Sequence, residues 1–477
     1  MSDRSRSYPV RAAWSSRITA GALTALLASG WADTAAAQSP YEGTTIRFLT
    51  ARNVHQTAVG DKLAEIAKEW GIDFDVRYVT TDELEKKVVL DYVGGAETWD
   101  LVYTGGVQRM YEWANGGIIN EMTPLIEQHG DPEVLNWDAF TEAARNAVTT
   151  KEEKVLGLPV ATSDQALAYR TDLFSHPEEK AAFQERYGYE LAPPETYEQF
   201  YDVAEFFTRE AGETLAGETL ENDFYGTSFS NKRGTFLWHD YENIVLAFGV
   251  DIYDPETGEV GLTSQPSIEA ARYYQSLVPF LPPGHINMSS GESTTLFASD
   301  RVAMVVEYFD RVVSTVDKED TPIEPEQVDY TFPPTLEGNP RGLVHPFRSG
   351  PAVVSIFGRS RNPEAAYKLL EAVMTTENQL DMARKHFGYM PTKVPALEAL
   401  VAEQPVVDYL VRISEEGVDA LTDAEIMPYP SILKASEIGD AVSNAMSQIL
   451  LGAEVEPELE KAQAELEAAF ADLPQPQ

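Results

Sequence analysis

The residues from Val155 to Phe174, VLGLPVATSDQALAYRTDLF, decide how this chain folds. Val155, Leu156, Leu158 and Val160 form an apolar run broken by Gly157 and Pro159. Ala166, Leu167, Ala168 and Tyr169 form a second. Short apolar runs bounded by turn residues are buried strands. Between them stand Ala161, Thr162, Ser163 and Asp164, three of which carry hydrogen-bonding side chains. A short polar step between two buried strands carries a chain from one lobe to another, and its side chains lie in the cleft it spans. Two lobes joined at this step are therefore expected.

Upstream of the step, strand and helix periods alternate. Thr45 to Thr50 alternates as a strand, Ala51 to Gln56 is a polar loop, and Thr57 to Trp70 carries apolar residues at helical spacing. Ile72 to Val79 is a second strand, Thr81 to Val93 a second helix ended by Gly94-Gly95, and Trp99 to Tyr103 a third strand. This βαβαβ order predicts a parallel, doubly wound sheet with ligands beyond the carboxyl ends of its strands. The segments to watch are thus 52–56 and 103–106. Downstream, Thr196 caps a helix from Tyr197 to Arg209, and Gly212 to Asn222 is an exposed insert. Further helices are expected over Trp238 to Phe248 and Ser267 to Val278. A strand from Val302 to Val306 ends at Tyr308, Phe309 and Asp310. A proline- and glycine-rich link, Phe332 to Pro346, leads to a second crossing at Arg348 and Ser349, followed by a strand from Ala352 to Phe357.

At 477 residues the chain is too long for one core. Its start is basic (Arg4, Arg6, Arg11, Arg17), then apolar from Ile18 to Ala32, then small at Ala35-Ala36-Ala37, the three-part pattern of a secretory signal peptide over residues 1–37. A membrane anchor fits less well, because spanning a bilayer takes about 20 apolar residues. The chain has no cysteine, so neither a disulfide nor a lipid anchor on an N-terminal cysteine is available, and a free periplasmic product is expected. Without the signal, 32 basic and 75 acidic residues remain. Such a charge repels nucleic acid and anionic membranes. The acidic residues are spread over helices, as in Glu454 to Glu467, which suits a solvated surface better than one cationic-ligand site.

Several chemistries leave no trace. There is no GxSxG elbow, phosphate loop, HExxH or EF-hand loop, and no thiolate to act as nucleophile or metal ligand. The seven histidines are scattered, so no metal site is expected. Glu152-Glu153 reads as a solvated face rather than a glycosidase pair. Tyr273-Tyr274 reads as helix packing rather than an iron site.

Five segments taken together carry a resemblance. WDLVYTGGVQRMYEWANGGIINEMTPLI, GLPVATSDQALAYRTDLF, PPETYEQFYDVAEFFT, LFASDRVAMVVEYF and NPEAAYKLLEAVMTTENQL stand in this order across about residues 41–470. The chain resembles the extracellular solute-binding proteins of ABC importers, in the large carbohydrate-binding family that includes maltose-binding proteins. It departs from them at Asp300, where glycine is usual, and at Tyr308-Phe309, where a tryptophan commonly follows; Lys393 trails a late GxxP-like turn. The resemblance implies an α/β, two-lobed periplasmic-binding-protein fold with doubly wound sheets and a hinge. Lobe 1 would take residues 41–160 plus about 350–395, and lobe 2 about 165–345 plus 400–470, with crossings near 159–165 and 346–351. It further implies capture of a sugar, polyol or small glycoside in the interlobe cleft and delivery to a membrane permease, by a monomer without a cofactor and without catalysis.

Strand ends and crossings then nominate the ligand contacts. They are His55, Tyr103 and Thr104 from the first lobe; Thr162, Ser163 and Asp164 from the first crossing; Trp238, His239, Tyr308 and Phe309 from the second lobe; Arg348 and Ser349 from the second crossing; and Tyr429 from the tail. Hydroxyls of a buried sugar each need a partner, and its C–H faces pack on aromatic rings. Two rivals stay open: a secreted carbohydrate-active enzyme, and a binding protein for a cation such as a polyamine.

Overall fold

Two sheets, each completed by a strand distant in sequence, organise the molecule. The computed structural model describes residues 39–150, 152–162, 165–250, 252–253, 257–317, 320–336, 351–403 and 435–471. From Tyr41 onward the chain clusters as one compact unit.

The first sheet begins with β1 (Thr45–Ala51), α1 (Val54–Glu69), β2 (Asp73–Val79), α2 (Thr81–Val93), β3 (Leu101–Tyr103) and α3 (Val107–Asn115). After the short helices α4 (Thr123–His129), α5 (Pro132–Leu135) and α6 (Glu142–Val148) comes β4 (Leu158–Ala161). The strand β11 (Ala352–Ile356) joins much later, giving the order β2-β1-β3-β11-β4. Strands β2, β1 and β3 are parallel, whereas β11 runs antiparallel to both β3 and β4. The sheet is therefore mixed rather than wholly parallel. Both its faces are covered, as parallel strands require: Ile46 and Phe48 enter one apolar cluster, and Leu49, Ala51 and Val102 another.

The second sheet has the order β10-β5-β9-β8, with β5 (Gln165–Arg170), β8 (Tyr225–Ser228), β9 (Val302–Tyr308) and β10 (Val328–Thr331); between β5 and β8 come α7 (Thr171–Ser175), α8 (Pro177–Tyr187) and the short strands β6 (Thr214–Leu215) and β7 (Glu218–Thr219). Its outer side packs on α9 (Tyr197–Phe207), α10 (Thr235–Ala247) and α11 (Gln265–Ser276) through Phe200, Leu237, Tyr241 and Tyr274. On its other side, toward the first sheet, lie α12 (Ser290–Ala298) and α13 (Phe309–Val316), whose Phe297, Phe309 and Val313 share a cluster with Phe48 and Leu158. The chain returns through α14 (Pro363–Val373), α15 (Thr376–Lys385) and α16 (Val394–Glu403). It ends in α17 (Ala435–Leu450) and α18 (Val455–Phe470), which pack on the second core.

Three local features differ from the sequence expectation or explain it. The second half of the expected loop 51–56 is helix, because Asn53 caps α1 by accepting the Gln56 N–H at 2.8 Å. The insert at 212–222 contains a hairpin, Thr214–Leu215 with Glu218–Thr219, and Leu215 is buried in the second core. Asp300, the residue in place of a glycine, has φ +55°, a left-handed conformation that aspartate tolerates better than most side chains. Arg170 ties it down by pairing with both Asp300 and Asp172. Among the described residues no helix is long and apolar enough to cross a membrane.

Candidate functional site

Parallel pairing of β1 with β3 brings the carboxyl ends of both strands to one edge of the first sheet, where Asn53, His55 and Tyr103 stand together. The end of β9 supplies the opposing wall: Tyr308, Asp310 and Arg311. The two walls meet at His55, whose Nε2 lies 3.0 Å from the Asp310 carboxylate, both side chains about 4% exposed. The contact is at ion-pairing distance but off the axis of a hydrogen bond, and neither ring nitrogen of His55 has a well-aligned hydrogen-bond partner. Asn53 hydrogen-bonds to the Tyr103 hydroxyl. Burial pushes the Tyr103 phenol above its ordinary value, while Arg311 and Arg109 pull it down.

Arg311 is held between two rings, its Cζ 4.6 Å from the Phe236 centroid and 5.0 Å from that of Tyr308, and it donates to Ser290. Tyr308 in turn hydrogen-bonds His239 Nδ1 at 2.8 Å. Guanidinium on an aromatic face is a stable, oriented arrangement. Arg109 is fixed by Glu85 at 2.9 Å and donates to the Thr104 carbonyl.

Under this wall lies a buried polar network. Asp240 accepts from Gln165 at 3.3 Å and from the Ser230 N–H at 2.7 Å. Glu307 accepts from the Ser230 hydroxyl at 2.7 Å and from the Tyr308 N–H at 2.9 Å. Gln165 also accepts from Asn243 at 2.9 Å. Burial, then the neighbouring Glu307, push the Asp240 carboxyl well above the usual carboxylate range; Ser230, Gln165 and Arg311 oppose this. Gln165 opens β5, so the network links the start of that strand to the end of β9.

The nominated residues separate accordingly. His55, Tyr103, His239 and Tyr308 belong to this cluster. Thr104 is buried and spends its hydroxyl on the Gly106 carbonyl at 3.1 Å. Thr162 is stitched to the returning loop, its N–H to the Met390 carbonyl at 2.9 Å and its hydroxyl to that of Pro391 at 3.1 Å. Trp238 is packed in the second core, alongside Gly439 of α17. Phe309 is fully buried against Tyr330. Ser163, Asp164, Arg348, Ser349 and Tyr429 lie outside the described residues.

Sequence reasoning passed over Asn53, Arg109, Phe236 and Arg311, and left Asp310 out of the contact set. The cap pair Asn53 and Gln56 was a legible signal for the first. Nothing local marks Phe236 or Arg311, whose meeting depends on the fold. Among the described residues no group of His, Cys, Asp and Glu side chains is placed to hold a metal ion.

Comparison with known proteins gives the family and the fold. A family model, bacterial extracellular solute-binding protein, matches residues 55–380. A putative binding protein of Brucella abortus is 25% identical over 399 residues, covering 82% of this chain and 84% of that protein. Among solved structures, an ABC transporter solute-binding protein from Agrobacterium radiobacter in complex with ribitol superposes with a TM-score of 0.75 at 20% identity, over 91% of this chain and 100% of its own. One from Agrobacterium vitis with bound D-mannitol gives 0.71 at 18% identity, over 91% and 100%.

Proposed function

We propose a function from one premise: this chain belongs to the family of bacterial extracellular solute-binding proteins. It captures a small, uncharged, hydroxyl-rich solute, a sugar or polyol, between two lobes, and delivers it to the permease of an ABC importer. The observation that carries this reading is the charge pattern of the wall between the two sheets. Among the described residues its charged groups already have company: His55 lies against Asp310, Arg109 pairs with Glu85, and Arg311 donates to Ser290 between two rings, within electrostatic reach of Asp240. What is left for a ligand is a set of oriented donors, hydroxyls and ring faces, which suits hydroxyls and C–H surfaces. The likeness to ribitol- and D-mannitol-bound proteins supports the same class.

The rivals fit less well. A polyamine calls for unmatched carboxylates, yet two guanidiniums stand here. A glycosidase needs two carboxyls about 5–10 Å apart across the substrate; Asp310 is engaged with His55, and Asp240 and Glu307 lie beneath the wall in hydrogen bonds of their own. The protein then binds without turnover. It acts as a periplasmic monomer released by cleavage after residue 37, and flexes at the crossings near 159–165 and 346–351. Of the nominated contacts, His55, Tyr103, His239 and Tyr308 touch or orient the solute, with Ser163, Asp164, Arg348, Ser349 and Tyr429 completing the cleft. Thr104 and Thr162 position backbone.

A thermal-shift panel of sugars, polyols, glycosides and polyamines tests this. A bound solute at 100 times its Kd stabilises by about 2.7 kcal/mol, an easily measured shift. A response to a sugar or polyol is expected. A response to polyamines alone, or hydrolysis of any glycoside, refutes the proposal.

A further inference from the structure

The turn between α15 and α16, with its GxxP-like residues Gly388-Tyr389-Met390-Pro391, touches both walls of the cleft. The Tyr389 N–H donates to the His386 carbonyl at 2.9 Å, and Gly388, third of these four turn residues, has φ +90°, where glycine meets no penalty. From Tyr389 to Thr392 the chain is bound to β4 and the residue after it. The Tyr389 hydroxyl donates to the Val160 carbonyl at 2.6 Å and the Thr392 hydroxyl to that of Pro159 at 2.8 Å, while Thr162 donates to Met390 and Pro391. Gln379 of α15, fully buried, accepts from the N–H groups of Thr392 and Lys393 at 2.9 and 3.1 Å. A segment pinned along β4 in this way moves with the first sheet.

The tip of the turn meets the other wall. A Cβ on Gly388 would stand 3.0 Å from the Asp310 carbonyl oxygen and 3.0 Å from the Ser314 Cβ, both in α13, the helix that follows β9 of the second sheet. That is closer than carbon atoms sit at their optimal separation. The next residue, Tyr389, is 1% exposed, and its ring lies edge-on to His55 with centroids 6.0 Å apart. Gly388 and Tyr389 thus stand beside the place where His55 meets Asp310, and the gap between the turn and α13 suits a residue without a side chain. Ser314 is the matching small residue on the helix, its hydroxyl turned back onto the Arg311 carbonyl at 3.2 Å.

We propose that the turn 386–391 is the stop against which the second lobe closes, with Gly388 and Ser314 as positioning residues. Their smallness sets how near α13 comes, and with it the separation of His55 and Tyr103 on one wall from Tyr308, Asp310 and Arg311 on the other. The proposal rests on the solute-capture reading and adds what fixes the depth of closure. Close-packed surfaces yield little, so a side chain added at this contact is met by separation of the walls. Hydrogen bonds that a solute draws from both walls lengthen with that separation, and binding weakens although every contact residue is intact.

The absence of cysteine makes the test clean. Lys68→Cys on α1 and Glu185→Cys on α8, both at exposed positions, take spin labels that report the interlobe distance, without solute and with D-mannitol, D-glucose or maltose. Ser314→Phe should move the short edge of the distance distribution outward by about 2 Å or more, solute present or absent, because a close-packed contact has no room for a ring. Gly388→Ala should move it the same way and less, whereas Ser314→Ala keeps the Cβ and should close as far as the parent. For any of the three solutes that raises the parent's melting temperature, Ser314→Phe should weaken apparent affinity about tenfold, within the usual cost of overpacking. Circular dichroism verifies the fold of each variant. Folded Ser314→Phe or Gly388→Ala protein that reaches the parent's shortest distance overturns the proposal, as does an outward shift in Ser314→Ala equal to that in Ser314→Phe. A solute that raises the parent's melting temperature yet leaves its distance unchanged refutes the two-lobe capture reading instead.

Discussion

Replacing Asp300 separates two effects that meet at one residue. Its φ of +55° costs a side chain bearing Cβ about 1–2 kcal/mol, a penalty glycine does not meet and aspartate partly escapes. Its carboxylate pairs with Arg170, but Asp300 is half-exposed and Asp172 already holds the same guanidinium at 2.6 and 2.8 Å. The lost pair is therefore worth at most about 1 kcal/mol. Asp300→Ala loses the pair and keeps the strain, for a cost of about 2 kcal/mol. Asp300→Gly loses the pair, relieves the strain and loosens the unfolded chain, leaving it within about 1 kcal/mol of the parent. Urea unfolding followed by tryptophan fluorescence measures the gap between the two variants. If Asp300→Ala is as stable as Asp300→Gly, backbone conformation is not what governs this position.

Two further outcomes follow from buried groups. Lys393 is 1% exposed, lies 4.8 Å from the Phe140 ring and donates to the Leu135 carbonyl at 2.7 Å; burial lowers its ammonium to about 8. The unfolded chain then holds the proton more tightly, so stability should rise with pH from about 8 to about 10.4, by on the order of 3 kcal/mol, an increment absent in Lys393→Met. Denaturant midpoints at pH 7 and 10 for both proteins check this, and parallel shifts would remove the role given to Lys393. Gly226 of β8 leaves no room for a Cβ, which would sit 1.9 Å from the Ala204 carbonyl of α9. Gly226→Ala should cost at least about 2–3 kcal/mol, against near-neutral Gly291→Ala, where a Cβ meets nothing within 4 Å. Equal urea midpoints for the two would contradict the close approach of α9 and β8.

What could be read from the sequence depended on how local its cause is. The alternation of period-2 and period-3.6 segments located β1, β2 and β3, and the strand-end rule then pointed to His55 and Tyr103, which the fold does bring together. The start of α1 was missed although Asn53 and Gln56 spell a cap, because the eye follows apolar spacing and this turn has little. Trp238 and Phe309 look the same in sequence whether they stack on a ligand or fill a core. The polar network could not be read at all: Ser230 and Glu307 are neighbours only because β8 and β9 run parallel and end side by side. The antiparallel β11 was visible as a strand, but not its place between β3 and β4 in the first sheet.

That place has a consequence for how the protein comes into being. Within the first sheet β4 is joined to β3 only through β11, which is made after the whole of the second sheet. A nascent chain that has reached Ala161 therefore has four of the five strands of its first sheet but not the one that joins β3 to β4. Pairing so distant in sequence is slow to form, since loop closure must be met before contacts repay it. The first sheet closes only when residues near Ile356 arrive, so its last pairings form late in synthesis, after every strand of the second sheet has been made.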